Sequence, residues 1–229
     1  MATQTEIAQR LLKDVRRVCG APLGDFLLAG YGADEAVERR AYIVRARIGQ
    51  RPVARHYIEV RGDSVTGLPC GREPLVWAAT LLIFFEGPLD SYVVGWRHRH
   101  LLETLGMAAT AEGRAFVEDA LAKYLRLTII EVKAHQRMGV PGDEHVFVTR
   151  QHPVVEFQSS GMATTGNVLD EDASFRLEFN QAFSTGLING GLYAAEWVEL
   201  EEIAPATWDD TPAGASQLLK QLFGEAGKR

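Results

Sequence analysis

Apolar positions along this chain repeat at two spacings, three-to-four and two, and their order predicts its elements. Ile7, Leu11, Leu12, Val15 and Val18 form one helical stripe over residues 4–18, with Arg10, Lys13, Arg16 and Arg17 opposite. Thr5 is the expected N-cap of this helix and Gly20 its stop. After a loosened, Gly- and Pro-bearing stretch from Gly20 to Ala36, residues 41–48 and 53–61 alternate as a β-hairpin joined through Gln50-Arg51-Pro52. Arginines such as Arg45 and Arg47 fall on its wetter face, where they serve to blunt an edge strand as readily as to bind phosphate.

The chain is organised around Gly67 to His135. Gly67-Leu68-Pro69-Cys70-Gly71 predicts a tight turn, and Pro74 suits a first helical turn because its missing N–H has no partner to lose there. From Pro74 to Phe85 the helix is apolar nearly all round, which places it inside a core. Gly87-Pro88 ends it, and Tyr92, Val93 and Val94 follow as a short extended piece. A second helix opens at Arg97-His98-Arg99-His100 and turns Leu101, Leu102 and Leu105 inward. Gly106 stands where a helix end needs a left-handed residue. Thr110 is then the expected cap of a third helix over 111–126, with Phe116, Val117, Ala120, Leu121, Tyr124 and Leu125 as its apolar face.

Beyond it, Leu127–Val132 and His145–Thr149 read as strands around the turn-rich Met138–Asp143, together forming a β-hairpin wing. The small, polar run within 159–173 is the expected linker. Phe175, Leu177 and Phe179 then alternate as a strand. The C-terminal helix has Thr211 as cap, Pro212 in its first turn, and Ala215, Leu218, Leu219 and Leu222 on one side. The fold class that results is α+β: a winged helix-turn-helix with a β-hairpin wing, followed by a partial second winged-helix unit. The expected division is 1–158, a linker at 159–173, and 174–229.

Charge sharpens this picture. The net charge of -6 over 229 residues argues against a protein that coats nucleic acid by bulk electrostatics. Residues 1–137, however, hold 19 Lys and Arg against 16 Asp and Glu, whereas 138–229 hold 5 against 14. The basic side chains therefore accompany the three-helix pattern, although a solvated mixed surface would have the same composition. The third helix is mixed too: Glu112, Glu118 and Asp119 crowd a face on which base readers normally carry basic or amide groups.

Candidate catalytic chemistry is sparse. Cys19 and Cys70 lie far apart without a CxxC, so reduced thiols are expected and neither a disulfide framework nor a zinc site. His135, Arg137 and His145 come close in sequence, but no helical pair or acid cluster accompanies them, and neither a metal nor a cofactor is expected. Gly30-Tyr31-Gly32-Ala33 lacks the GK[ST] that a phosphate loop would need. No Ser/His/Asp, Cys/His or paired-carboxylate spacing points to an enzyme. No apolar run reaches the ~18 residues of a membrane span and no leader is apparent, so the expected location is cytoplasmic.

The run GLPCGREPLVWAATLL, then LLETLGM, then EGRAFVEDALAKYLRLTI and a hairpin, resembles the first winged-helix domain of plasmid replication initiator (Rep) proteins over roughly residues 55–150. Residues 174–180 and 211–220 resemble the opening strand and helix of that family's second winged helix. The resemblance implies a protein without catalysis that binds double-stranded DNA at origin repeats (iterons), forms homodimers and meets host replication proteins. Its implied DNA contacts are Arg97, Arg99, His100, Thr110, Arg114, Lys123, Arg126 and Arg137. The alternative is a winged-helix transcription regulator acting at a promoter operator. The initiator reading requires Arg97, Arg99 and Arg114 to gather along one rim, beside a three-helix core containing the Pro74 segment.

Overall fold

The structure is a computed structural model and describes residues 3–19, 28–48, 51–87, 92–136, 144–161, 173–189, 195–200, 208 and 211–223. Its elements in chain order begin with α1 (Gln4–Cys19), β1 (Arg39–Ile48), β2 (Arg51–Arg61), α2 (Glu73–Glu86), β3 (Val93–Arg97), α3 (His98–Thr104) and α4 (Ala111–Arg126). They continue with β4 (Thr128–Gln136), β5 (Glu144–Gln151), β6 (Val154–Ser160), β7 (Ser174–Phe179), α5 (Gln181–Asn189), β8 (Ala195–Glu199) and α6 (Pro212–Phe223). The architecture is mixed α+β with antiparallel sheets. No described helix is long and apolar enough to cross a membrane.

Contacts divide the chain into two interleaved units. The first comprises Met1–Glu38, Gly62–Leu127 and His152–Gly191; the second comprises Arg39–Arg61, Thr128–Gln151 and Leu192–Arg229. This differs from the expected linear division. Residues 159–173 do not separate two domains, because β6 and β7 on either side of them pair in register from Val154↔Phe179 to Ser160↔Ser174. The strand at 174–179 likewise pairs with β3, so it completes the first unit instead of opening another.

In the first unit α2 is the core helix that its composition predicts, buried from Pro74 to Leu81 and again at Phe84. Trp77 stacks on Tyr124 of α4 with ring centroids 4.3 Å apart and planes 7° from parallel, and Phe179 and Phe183 close round it. Thr80, buried on the same helix, satisfies its hydroxyl at the Val76 carbonyl (2.8 Å). α1 packs on α2 through Ala8, Leu11 and Val15. Its cap is Thr3, not Thr5: the Thr3 hydroxyl accepts from the Glu6 N–H, and the Glu6 carboxylate accepts from the Thr3 N–H, a reciprocal pair at the residue before the first turn. Gly20 lies outside the described residues.

The turn before α2 is tightly knitted. Gly32 N–H donates to the Gly71 carbonyl and Gly71 N–H to that of Ala33, so the 30–33 segment serves as a backbone partner for the Gly67–Gly71 turn. A Cβ at Gly30 would lie 1.9 Å from the Pro69 oxygen, which explains the glycine there. Glu73 caps the turn from the helix side by accepting from Cys70 N–H (2.9 Å).

α3 ends at Gly106, φ 65°, with Met107 N–H reaching back to the Leu102 carbonyl, as the left-handed stop predicts. Thr110 caps α4 by accepting from Gly113 N–H at 3.1 Å. A three-stranded antiparallel sheet in the order β3-β7-β6 closes the unit. It turns Val94, Trp96, Phe175, Leu177 and Phe179 inward.

The second unit is a five-stranded antiparallel sheet, β5-β4-β2-β1-β8, with α6 laid across one face. Ala215, Leu218 and Leu219 of α6 pack on Ala41, Tyr57, Val132 and Ala134. Thr211 caps the helix through Gly214 N–H, as expected. One further expectation is corrected here. The β4–β5 hairpin is not a wing, because β4 pairs with β2 along Arg55↔Ala134 to Arg61↔Thr128 and so joins a larger sheet. The β1–β2 hairpin stands as expected and lies between β4 and β8 in that sheet. The 138–143 tip lies outside the described residues.

Candidate nucleic-acid interface

One end of the three-stranded sheet collects most of the basic candidates. β3 finishes at Arg97, exposed, and runs directly into α3, whose first turn carries half-buried Arg99 and exposed His100. Arg97 pairs in register with Ser174, which in turn pairs with Ser160, and those two hydroxyls lie 2.8 Å apart. Neighbouring Ser159 accepts from the Arg114 guanidinium at 2.9 Å. Arg97, Arg99 and His100 thus follow one another at the end of the ladder where Ser160 and Ser174 pair, and Arg114 bonds to the neighbouring Ser159.

Arg114 is nevertheless turned inward. Its Nε donates to Glu118 at 2.7 Å, one terminal nitrogen to Ser159 and the other to the Gly161 carbonyl. The expected phosphate contact is therefore corrected: most of this fork is committed within the protein. Ser159 Oγ also donates to Glu118 and meets His98 Nε2 at 3.1 Å. Burial alone would push the Glu118 carboxyl up; the Ser159 and Arg114 bonds outweigh it and hold the carboxyl below its ordinary value.

His98 is fully buried, its ring centroid 3.4 Å from that of Phe175. Burial first, and the neighbouring Arg114 charge second, lower its pKa to about 4. The ring is accordingly neutral near pH 7, and its Nε2–H donates to Ser159. Ser159 lies next to a histidine, but the hydroxyl points its proton at Glu118, and among the described residues no carboxylate bonds the far ring nitrogen.

Lys123 and Arg126 lie elsewhere. Arg126 is twelve residues from Arg114, about 18 Å along an α-helix. Lys123 forms an ion pair with Glu73 at 2.8 Å, both side chains less than one-fifth exposed, which ties α4 to the start of α2. Its expected phosphate role is corrected to that brace. Arg126 is exposed, and its charge falls near Asp63 of the 63–67 turn. Thr110 spends its side-chain oxygen on the helix cap. Arg137 lies outside the described residues. Between these ends, α4 shows solvent Glu112, Ala115 and Asp119, the acidic character visible in the sequence. Among the described residues no group of three or more His, Cys, Asp or Glu side chains is placed to hold a metal.

The partners Glu118 and Ser159 were missed by sequence reasoning. Forty-one positions separate them and no local spacing signals their meeting.

No protein-family model matches the chain, and no curated protein matches its sequence. Among solved structures it is similar to the crystal structure of RctB domains 2-3. The TM-score is 0.50 at 10% identity, covering 72% of this chain and 58% of that one. A selenomethionine form of RctB domains 2 and 3 aligns with a TM-score of 0.47 at 10% identity, over 70% and 56% of the two chains. This chain thus spans little more than half the length of the RctB chains it matches. At that identity the likeness concerns the fold.

Proposed function

We propose that this chain is a DNA-binding protein of the replication-initiator type, without catalysis, that recognises origin repeats and self-associates to control initiation. The observation that carries the reading is the first unit's element order. Helix α2, strand β3, helices α3 and α4, and strands β6 and β7 in the sheet order β3-β7-β6 follow the winged-helix plan, with α4 as the helix offered to a groove and β6 and β7 as the strands of the wing. On this reading the chain order of the winged helix is interrupted by strands of the second unit before α2 and between α4 and β6. The fold likeness to RctB, a replication initiator, supports the same direction.

Affinity on this reading comes from Arg97, Arg99 and His100 at phosphates. The open face of α4, with Glu112 and Asp119, repels the backbone and leaves little room for base reading by arginine. Specificity then draws on partner subunits. A mobility-shift titration with duplexes selected from a random pool tests the proposal. Tandem repeats should be enriched, and binding should weaken steeply between about 50 and 200 mM salt, with each lost phosphate contact flattening the salt slope by about one. Failure to retain any duplex, or enrichment of single palindromic operators without repeats, would refute the initiator reading. Light scattering over a concentration series, with and without the selected duplex, tests self-association.

A further inference from the structure

We propose that Arg114 is a positioning residue: its guanidinium holds the end of β6, at Ser159 and Gly161, against α4 and so sets how these two elements stand to each other. The inference rests on the DNA-binding reading above, since α4 and the paired strands β6 and β7 are the parts that would meet the duplex together.

The chemistry is that of a single hydroxyl saturated by three side chains from two helices. Ser159 Oγ on β6 accepts from Arg114 of α4 and from His98 Nε2–H of α3, and donates to Glu118 of α4. Glu118 Oε1 accepts from both Arg114 and Ser159, which keeps the arginine's charge matched inside the cluster. The remaining terminal nitrogen of Arg114 reaches the main chain at Gly161, where the described part of the β6–β7 connection ends. The Arg114 side chain is 17% exposed, so it has a well-packed site and not a surface excursion. A flat guanidinium fork suits three simultaneous bonds of fixed direction; an ammonium at the same place supplies the charge without that geometry. Next to it, the Arg97↔Ser174↔Ser160 row carries the outward-facing basic side chain that a phosphate would meet.

The test compares Arg114→Ala, Arg114→Lys, Ser159→Ala and Arg97→Ala in the full chain. Two readouts are used: the affinity for a selected duplex as a function of salt, and hydrogen exchange of the backbone amides of β6 and β7 in the protein alone. If Arg114 positions, Arg114→Ala, Arg114→Lys and Ser159→Ala each weaken binding by about tenfold with the salt slope unchanged, whereas Arg97→Ala flattens the slope by about one. The same three variants speed exchange at the Ser160 and Ser174 end of the ladder by about tenfold while the α2 amides keep their protection. A flatter slope in Arg114→Ala with full affinity retained in Ser159→Ala would make Arg114 a phosphate contact and overturn the proposal. Unchanged exchange in all three variants would overturn it as well, whatever the duplex does. Should the parent chain bind no duplex, the functional reading fails, and the exchange measurement still decides the tether.

Discussion

Glu59 offers the sharpest test of how the second unit holds its C-terminal helix. Its side chain is fully buried, and donors face it: Tyr57 O–H at 2.7 Å, Arg61 Nε–H at 2.6 Å and Trp208 Nε1–H at 3.1 Å, with Arg39 at 3.8 Å. Trp208 stands shortly before α6 and packs edge-on against Tyr57, so this carboxylate ties the helix approach to the middle strand. Glu59→Gln keeps the volume but turns one acceptor oxygen into an amide that must face donors. Hydrogen bonds to a charged acceptor contribute about 1.5–3 kcal/mol each, and Arg61, one-third exposed, belongs at the low end because solvent screens it. Breaking a buried charged set by changing one member costs about 3–5 kcal/mol, and that is the expected loss in urea unfolding at pH 7.

The pH dependence fixes the sign. Burial pushes the Glu59 carboxyl up, but the bonds from Arg61, Tyr57 and Trp208 outweigh it and hold it below its ordinary value. Its contribution is therefore fully present above the unfolded glutamate value of about 4.3 and disappears as pH falls through the lower folded value. The gap between parent and Glu59→Gln should be constant from pH 5 to 7, as order-of-magnitude bounds on that window, and should narrow below about pH 4. A gap under about 1 kcal/mol at pH 7, or one that widens in acid, would refute this account of the network.

Other consequences are equally open to measurement. Gly30→Ala, whose Cβ would strike the Pro69 oxygen, should lower stability by more than about 2 kcal/mol, whereas Gly32→Ala, with open space but φ 78°, should cost about 1 kcal/mol; equal melting temperatures for the two would contradict the packing of that turn. Trp77→Ala removes the ring that Tyr124, Phe179 and Phe183 surround, and an expected loss of about 3–5 kcal/mol in denaturant unfolding makes it the costliest single truncation in the first unit. Nitrogen NMR of His98 should show a neutral ring protonated at Nε2 down to about pH 5, because its folded pKa is about 4. Between the unfolded value near 6.5 and that point, stability should fall with pH as the unfolded chain takes up the proton. A ring titrating near 6.5 would remove the basis for its buried role.

How much of this was legible beforehand depends on the range of each interaction. The apolar sweep of residues 74–85, the Gly106 stop, the Thr110 cap and the Thr211-Pro212 start of α6 are local features, set by side chains within a turn or two of each other, and all four stand in the structure. Thr5 failed as a cap for an equally local reason, since Thr3 and Glu6 make the better reciprocal pair. Strand partners were another matter. Alternation at 127–149 correctly predicted a hairpin, yet nothing in it distinguished a free-standing wing from two strands continuing the β1–β2 hairpin.

By itself, then, the sequence determined the helix ends marked by Gly106, Thr110 and Thr211, which helix lies in the core, and that basic residues cluster around 97–100. Tertiary structure alone decided that 152–191 returns to finish the unit begun by α1, while 128–151 leaves it, because antiparallel pairing is satisfied by any strand of suitable length and polarity, however distant along the chain. It also decided the fate of the charges. Arg114 and Lys123 look like surface cations when only their own helix is read; the acceptors that engage them, Ser159, Gly161 and Glu73, lie about forty to fifty residues away and are brought to them only by folding.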